Sequence, residues 1–360
     1  MTVAIIGGGL AGSLLALELR TLGVEVLLVA PALAEYPAAT ATSLSYGAVA
    51  AWAAPLTPLG RLMRQSPRRW ELLQRRHGDL GWRRRSLRLH GVRGVGSLLQ
   101  AVPLPCSQVE AGVFAAALPG VLERAGVRWR QARVEQLEQL ERVQPNGPNG
   151  GERWRLQLPG GDSLQAQAVV LAAGSHSREL WPALGPSLWV SWAGVIELER
   201  WPVAYRCGQL VLPGPIERLA LERRAAAIEQ EQWVVDVGLV PWGETALVGQ
   251  ISLVRPSPRP GEPPDAALME QRLREALDRF DPALVRAAGT YRQVPVAFCT
   301  DGQPLVGPVP GALGLWQFTG FSAAFGLVPV LTPRMAAALA ASLRTPASPE
   351  TGGGWGAPPP

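Results

Sequence analysis

The sequence predicts an α/β fold in which a parallel-sheet domain is intertwined with a strand-rich one, and three observations carry that prediction. The chain opens on a strand–turn–helix–strand pattern within its first 30 residues. A second short apolar run, Val169-Val170-Leu171, ends in Ala172-Ala173-Gly174, as a buried strand meeting a glycine turn does. Residues 181–254 then read as strand after strand with few long helical stretches. At roughly 150 residues per domain, 360 residues make two domains, and 47% hydrophobic residues supply a core for each.

Residues 3–6 (Val-Ala-Ile-Ile) are short and wholly apolar, which predicts a buried strand. Leu14, Leu15, Leu17, Leu19 and Leu22 follow at helical spacing, and Gly23 stops the helix. Residues 24–29 form a second buried strand, completing a βαβ unit. The stretch 61–93 holds eleven arginines against two acids, Glu71 and Asp79. It reads as one or two surface helices with a solvated face. Aromatics are sparse there (Trp70, Trp82), so a nucleic-acid partner is not expected.

Residues 111–125 read as helix and 127–137 as strand. The Pro-Asn-Gly-rich 145–152 is a hairpin tip, and 153–158 alternates as a strand does. Residues 256–264 are a Pro-rich loop, 266–280 an amphipathic helix, and 327–343 a final helix of small apolar residues. The Gly/Pro-rich 346–360 is expected to be disordered. There is no internal repeat.

Composition excludes several chemistries. Basic residues number 34 against 29 acidic, a formal charge of +5, and every one of the 34 is arginine. Without lysine there is no Walker-A phosphate contact, no pyridoxal Schiff base and no lysine nucleophile. The histidines (His77, His90, His176) and cysteines (Cys106, Cys207, Cys299) lie far apart, so no metal site is expected. Scattered cysteines give no disulfide framework, which fits a reducing cytoplasm. No secretory leader is expected at the N-terminus. No run of about 20 uninterrupted apolar residues predicts a membrane span.

Gly7-x-Gly9-x-x-Gly12 sits between the first strand and the first helix, which is the context of a dinucleotide-binding turn. Gly7 permits the tight turn, Gly9 lets the backbone approach a pyrophosphate, and Gly12 lets helix pack on sheet. The helix N-terminus adds unpaired N–H groups and partial positive charge. The parallel-sheet domain is therefore Rossmann-like. The acid that ends the second strand in such turns, where it holds the ribose, is Ala30 here, followed by Pro31. The next acid is Glu35.

Two further segments narrow the reading. Ala166-Gln167-Ala168-Val169-Val170-Leu171-Ala172-Ala173-Gly174-Ser175-His176-Ser177 resembles a strand–turn of the D-amino-acid oxidase-like and glycine oxidase-like FAD-dependent oxidoreductases. Asp301-Gly302-Gln303-Pro304-Leu305-Val306-Gly307-Pro308 and Thr319-Gly320-Phe321-Ser322-Ala323-Ala324-Phe325-Gly326-Leu327 resemble that family's C-terminal segments. Thr42-Ser43-Leu44-Ser45-Tyr46-Gly47 is similar more loosely to its small-residue loop. The order of these segments runs over residues 1–345.

The resemblance implies FAD rather than NAD. The cofactor contacts it implies are Gly7, Gly8, Gly9, Leu10, Ala11, Gly12, Ala30, Thr42, Ser43 and Val134 from the first half of the chain. From the second half they are Ala172, Ala173, Gly174, Gly320, Phe321, Ser322, Gly326 and Leu327. The last helix would point its N-terminus at the flavin pyrimidine, where its dipole favours negative charge. Pro329 fits the first turn of that helix, and Pro333 implies a late start or a kink. Phe321 and Phe325 depart from the family's smaller residues and would reshape the substrate side. Cys299 is read as a buried small hydrophobe rather than a flavin attachment point.

The implied reaction is oxidation of a CH–N bond in a small amino acid or secondary amine, with hydride transfer to flavin N5 and reoxidation by oxygen or another acceptor. Such chemistry needs mainly orientation of the substrate. A carboxylate substrate wants a bidentate guanidinium. Arg292, beside Tyr291 and nine residues before Asp301, is the candidate. His176 is expected to cap its turn. The FAD domain is expected from 1–50, 105–180 and 299–345, and the substrate domain from 51–104 and 181–298. Two other readings stay open on the residues alone: a flavin dehydrogenase acting on a hydroxy acid or modified tRNA base, and a non-catalytic flavoprotein.

Overall fold

The computed structural model describes residues 2–31, 40–92, 94–140, 153–205 and 208–344. Glu35, Cys207, the hairpin tip at 145–152 and the tail at 346–360 lie outside the described residues.

The fold is α/β and is built on two large sheets. The first has six strands in the order Leu305–Pro308, Leu315–Thr319, Ala168–Leu171, Thr2–Ile6, Glu25–Ala30 and Arg128–Gln131. All neighbours are parallel except the first pair. The opening strand is apolar throughout because both of its faces are covered. Val3 and Ile5 join a core with the helices Leu10–Thr21 and Ala324–Arg344. Ala4 and Ile6 join the core on the opposite face, with Trp154 and Leu156. Those two belong to a small sheet of Gln136–Gln139, Trp154–Gln157 and Ser163–Ala166.

The second sheet has eight strands. Their order is Gly289–Cys299, Leu188–Leu198, Thr245–Val254, Gln232–Trp242, Gln209–Pro213, Trp82–His90, Leu104–Val109 and Ala48–Val49. The helix Ala266–Phe280 covers one face, packing Met269, Leu273 and Leu277 against Leu239, Val248 and Ile251. Asp265 starts this helix by accepting the N–H groups of Ala267 (2.9 Å) and Leu268 (3.3 Å).

Three expectations change. The arginine-rich stretch gives helices Pro58–Met63 and Ser66–His77, but its second half is the strand Trp82–His90. Arg83 and Arg85 point at Glu110 there, and Arg84 at Glu71, so the run is partly ion-paired. Residues 127–137 split into Arg128–Gln131 and Gln136–Gln139, which lie in different sheets.

The last helix starts at Ala324 rather than 327, so Pro329 and Pro333 both lie inside it. By length and composition this helix is apolar enough to cross a membrane, with a mean hydropathy of 1.5, although Arg334 interrupts its apolar run. In the fold, 67% of that apolar window is buried against the rest of the protein.

Candidate functional site

The strands Thr2–Ile6, Ala168–Leu171 and Leu315–Thr319 are parallel neighbours, so their C-terminal ends emerge along one edge of the sheet. Ligands of open α/β sheets bind outside this edge. The three turns that follow, at 7–9, 172–174 and 320–322, all line one cavity of about 490 Å³. Backbone bonds hold the turns together. The Gly7 N–H donates to Val29 O (2.9 Å) and the Ala172 N–H to Ile6 O (2.9 Å). The Thr319 hydroxyl donates to Gly174 O (3.5 Å).

The glycines of the first turn do different work. Gly7 has φ +110°, and a Cβ there would stand 2.3 Å from Ala172 O. A Cβ at Gly12 would stand 1.9 Å from Gly7 O. Both are demanded by packing. Gly9 has an ordinary φ of −73° and would bring its Cβ no closer than 3.1 Å, to Thr42 Oγ1. Its missing side chain leaves room in the cavity itself.

Two helix N-termini open onto the cavity. The Leu10–Thr21 helix has no acid in its first turn and no side-chain cap on Gly9, and Thr42 Oγ1 accepts the Leu10 N–H at 3.0 Å. The Ala324–Arg344 helix likewise has no acid in its first turn, and Ala324 lines the cavity. An elongated ligand with a diphosphate at one end and an electron-poor ring at the other fits this polarity. Gly9 leaves the backbone open to that diphosphate, so the residues present fit FAD.

The large sheet supplies the opposite wall. Ala193, Val195, Val294, Pro295, Val296 and Ala297 make it apolar, and Gln250 is its amide. Phe321 and Phe325 line the cavity as expected, with Phe321 edge-on to Phe318 at 5.1 Å. Among the described lining residues Arg218 is the one with a permanent charge. It sits on the short helix Glu217–Arg223. Its guanidinium pairs with the buried Glu222 and reaches Ser322 O at 3.4 Å, so it touches the third turn.

Of the cofactor contacts expected from sequence, Gly7, Gly8, Gly9, Leu10, Ala11, Ala30 and Thr42 line the cavity. Ala172, Ala173, Gly174, Gly320, Phe321 and Ser322 join them there. Gly12, Ser43, Val134, Gly326 and Leu327 do not. Ser43 is tied to Thr40 (3.0 Å), and Val134 is buried under the small sheet. A Cβ at Gly326 would stand 3.0 Å from the Met63 side chain, so that glycine serves helix packing. Leu327 belongs to the core.

Arg292 and Tyr291 also lie away from the lining. Arg292 donates to Glu197 at 2.8 Å and pairs across the sheet with Val195. It stands two residues short of Val294, on the same face. Tyr291 packs under the Ala266–Phe280 helix and donates to Gln293 at 3.2 Å. His176 lines the cavity beside Ser175 Oγ (3.3 Å). Cys299 is buried behind Gly320, and burial pushes its thiol up to about 11. Among the described residues no group of three or more His, Cys, Asp or Glu side chains is placed to hold a metal ion.

Sequence reading missed Arg218 and Gln250. Arg218 sits on a seven-residue helix, which gives almost no periodicity, and Gln250 is a single polar residue within the strand Thr245–Val254.

A family model described as FAD dependent oxidoreductase matches residues 2–101 and 99–338. No curated protein matches the chain. Glycine oxidase from Geobacillus kaustophilus is similar in structure with a TM-score of 0.69 at 20% identity, over 96% of this chain and 95% of that one. Iminodiacetate oxidase from Chelativorans sp. BNC1 is similar at 0.67 and 18%, over 95% of each chain. L-amino acid deaminase from Proteus vulgaris is similar at 0.67 and 14%, over 94% of this chain and 93% of that one.

Proposed function

Because the chain belongs to the family of FAD-dependent oxidoreductases, we propose that it oxidises a CH–N bond of a small amino acid or a carboxylate-bearing secondary amine. The observation that carries this reading is the pairing of three cofactor turns on one cavity with a facing wall that is apolar except for Arg218 and Gln250. FAD, when bound, supplies the two-electron acceptor at flavin N5, and oxygen is its proposed oxidant. The substrate loses its α-hydrogen with the electron pair, the nitrogen lone pair closes a C=N bond, and the amine proton leaves.

The protein's own part is orientation and exclusion of water. Arg218, which lines the cavity, would hold the carboxylate in place of Arg292, which does not. Val195, Val294 and Val296 would press the α-carbon toward the 320–322 turn and keep water out. The six-stranded sheet would carry the cofactor and the eight-stranded sheet the substrate. A reducing compartment is part of the proposal, and the buried, unpaired Cys106 and Cys299 support it.

The test is optical. The purified protein should be yellow or take up added FAD, and anaerobic addition of amino acids or N-alkyl amino acids should bleach it. A flavin that no member of that panel bleaches would overturn the substrate class.

A further inference from the structure

The strand Gln232–Trp242 breaks register with Thr245–Val254 between Val235 and Gly238. Asp236 and Val237 therefore stand opposite Gln250 alone, the two-against-one count of a β-bulge, which re-aims side chains. Gln250 lines the cavity. Asp236 is 7% exposed and turns toward the Glu217–Arg223 helix. One of its oxygens accepts the Glu217 N–H at 2.8 Å and the other accepts the Arg218 N–H at 2.9 Å. The two bonds fix both the position and the rotation of the first helical residues. From there the Arg218 side chain runs to Glu222 and the Ser322 carbonyl. The half-buried Tyr46 packs beside Gly238 and donates its hydroxyl to Gly238 O at 3.4 Å.

We infer that Asp236 is a positioning residue for substrate recognition: from the bulge it sets the helix that aims Arg218 at the substrate carboxylate. This rests on the reading above that Arg218 takes that carboxylate. Charge-assisted bonds to backbone N–H groups are among the stronger positioning contacts. A seven-residue helix has too few bonds of its own to stay in place without them.

The test measures how acetate, propionate and benzoate perturb the visible flavin spectrum of the holoprotein. It compares the parent with R218A, D236A, D236N and the double variant R218A/D236A, recording FAD content and thermal midpoint for each. D236A is expected to weaken carboxylate binding about tenfold, the equivalent of one charge-assisted bond. D236N, which keeps one acceptor, should fall between parent and D236A. In turnover the loss should appear in KM for a carboxylate substrate more than in kcat, and not in KM for the matching decarboxylated amine. In the R218A background D236A should add nothing further, because its route is through that side chain.

An undiminished D236A effect on top of R218A overturns the inference. So does a D236A or D236N protein that loses FAD and thermal stability while holding carboxylates as the parent does. Unchanged carboxylate binding in R218A overturns the reading of Arg218 and the inference with it. Should D236A fail to fold, the graded response of D236N against R218A/D236N decides the same question.

Discussion

The indole N–H of Trp70 donates to the Phe325 carbonyl at 2.8 Å, the acceptor that Pro329 leaves without a helical donor. Residue 329 would bond residue 325 in an unbroken helix, and proline has no N–H. The same device repeats one turn on. Pro333 cannot donate to Pro329 O, and Arg69 Nε takes that carbonyl at 3.2 Å. Two prolines that should break the cavity-lining helix are thus accommodated by one neighbouring helix, Ser66–His77.

Trp70→Phe should therefore cost more than its size. Trp70 is fully buried, stacked on Phe325 at 6.1 Å and edge-on to Phe114 at 5.7 Å. Phenylalanine keeps an aromatic ring but leaves a buried carbonyl unpaired, worth about 1–3 kcal/mol. A drop of that size in urea unfolding is expected, together with faster FAD release, because Phe325 lines the cavity. Unchanged stability would show that another donor serves Phe325.

Gly7 and Gly9 should separate folding from cofactor binding. Gly7→Ala forces a Cβ to 2.3 Å from Ala172 O at a positive φ, so the apoprotein itself should lose stability. Gly9→Ala meets nothing closer than 3.1 Å at φ −73°, so the apoprotein should melt as the parent does. Its methyl stands where the diphosphate would approach, and FAD affinity should fall at least about tenfold. Fluorescence titration with FAD and thermal melting of the apoproteins read the two effects apart.

The cofactor turns were legible in sequence and the substrate wall was not, for physical reasons. Gly7 and Gly12 stand where a Cβ would strike backbone and Gly9 where the cavity needs room, so glycines at fixed spacing announce the first turn. Arg292 is close to Asp301 along the chain. The intervening strand Gly289–Cys299 is extended, however, and each residue along it adds about 3.4 Å. Arg218 meets Ser322 across 104 positions of sequence, through a helix too short to show a pattern. The strand Trp82–His90 was hidden because successive arginines mask the alternation that Leu87 and Leu89 would otherwise reveal. Pro329 reads as a first-turn residue because the partners that allow it and Pro333 inside a helix, Trp70 and Arg69, come from elsewhere in the chain.

Ala30→Glu should tighten FAD. Ala30 ends its strand at the cavity wall, where an acid would hold the ribose hydroxyls. Trp129 Nε1 lies 3.4 Å from its carbonyl and would keep the strand end in place. One charge-assisted bond of about 1.5–3 kcal/mol corresponds to a gain of tenfold or more in affinity. Isothermal titration of the apoprotein with FAD measures it. A weaker affinity would mean that this end of the cavity binds its ligand without reaching the ribose.

Cys299 should be inert toward both flavin and alkylating agents. Burial raises its thiol from 9.0 to about 11, and Cys106 is raised likewise to about 11. The reactive thiolate is therefore suppressed in the folded protein at pH 8. Iodoacetamide should label neither residue until the chain unfolds, and acid precipitation should release all FAD into the supernatant.

The sign of the stability effect follows from the same shift. Below pH 9 both thiols hold their protons in either state. Between 9 and 11 the unfolded chain loses them first, so stability falls as pH rises through that window. Cys106→Ser together with Cys299→Ser should flatten the fall, since serine does not titrate there. Flavin left on the precipitated protein, or labelling of Cys299 in the native state, would show that the thiol faces the cavity rather than the back of Gly320.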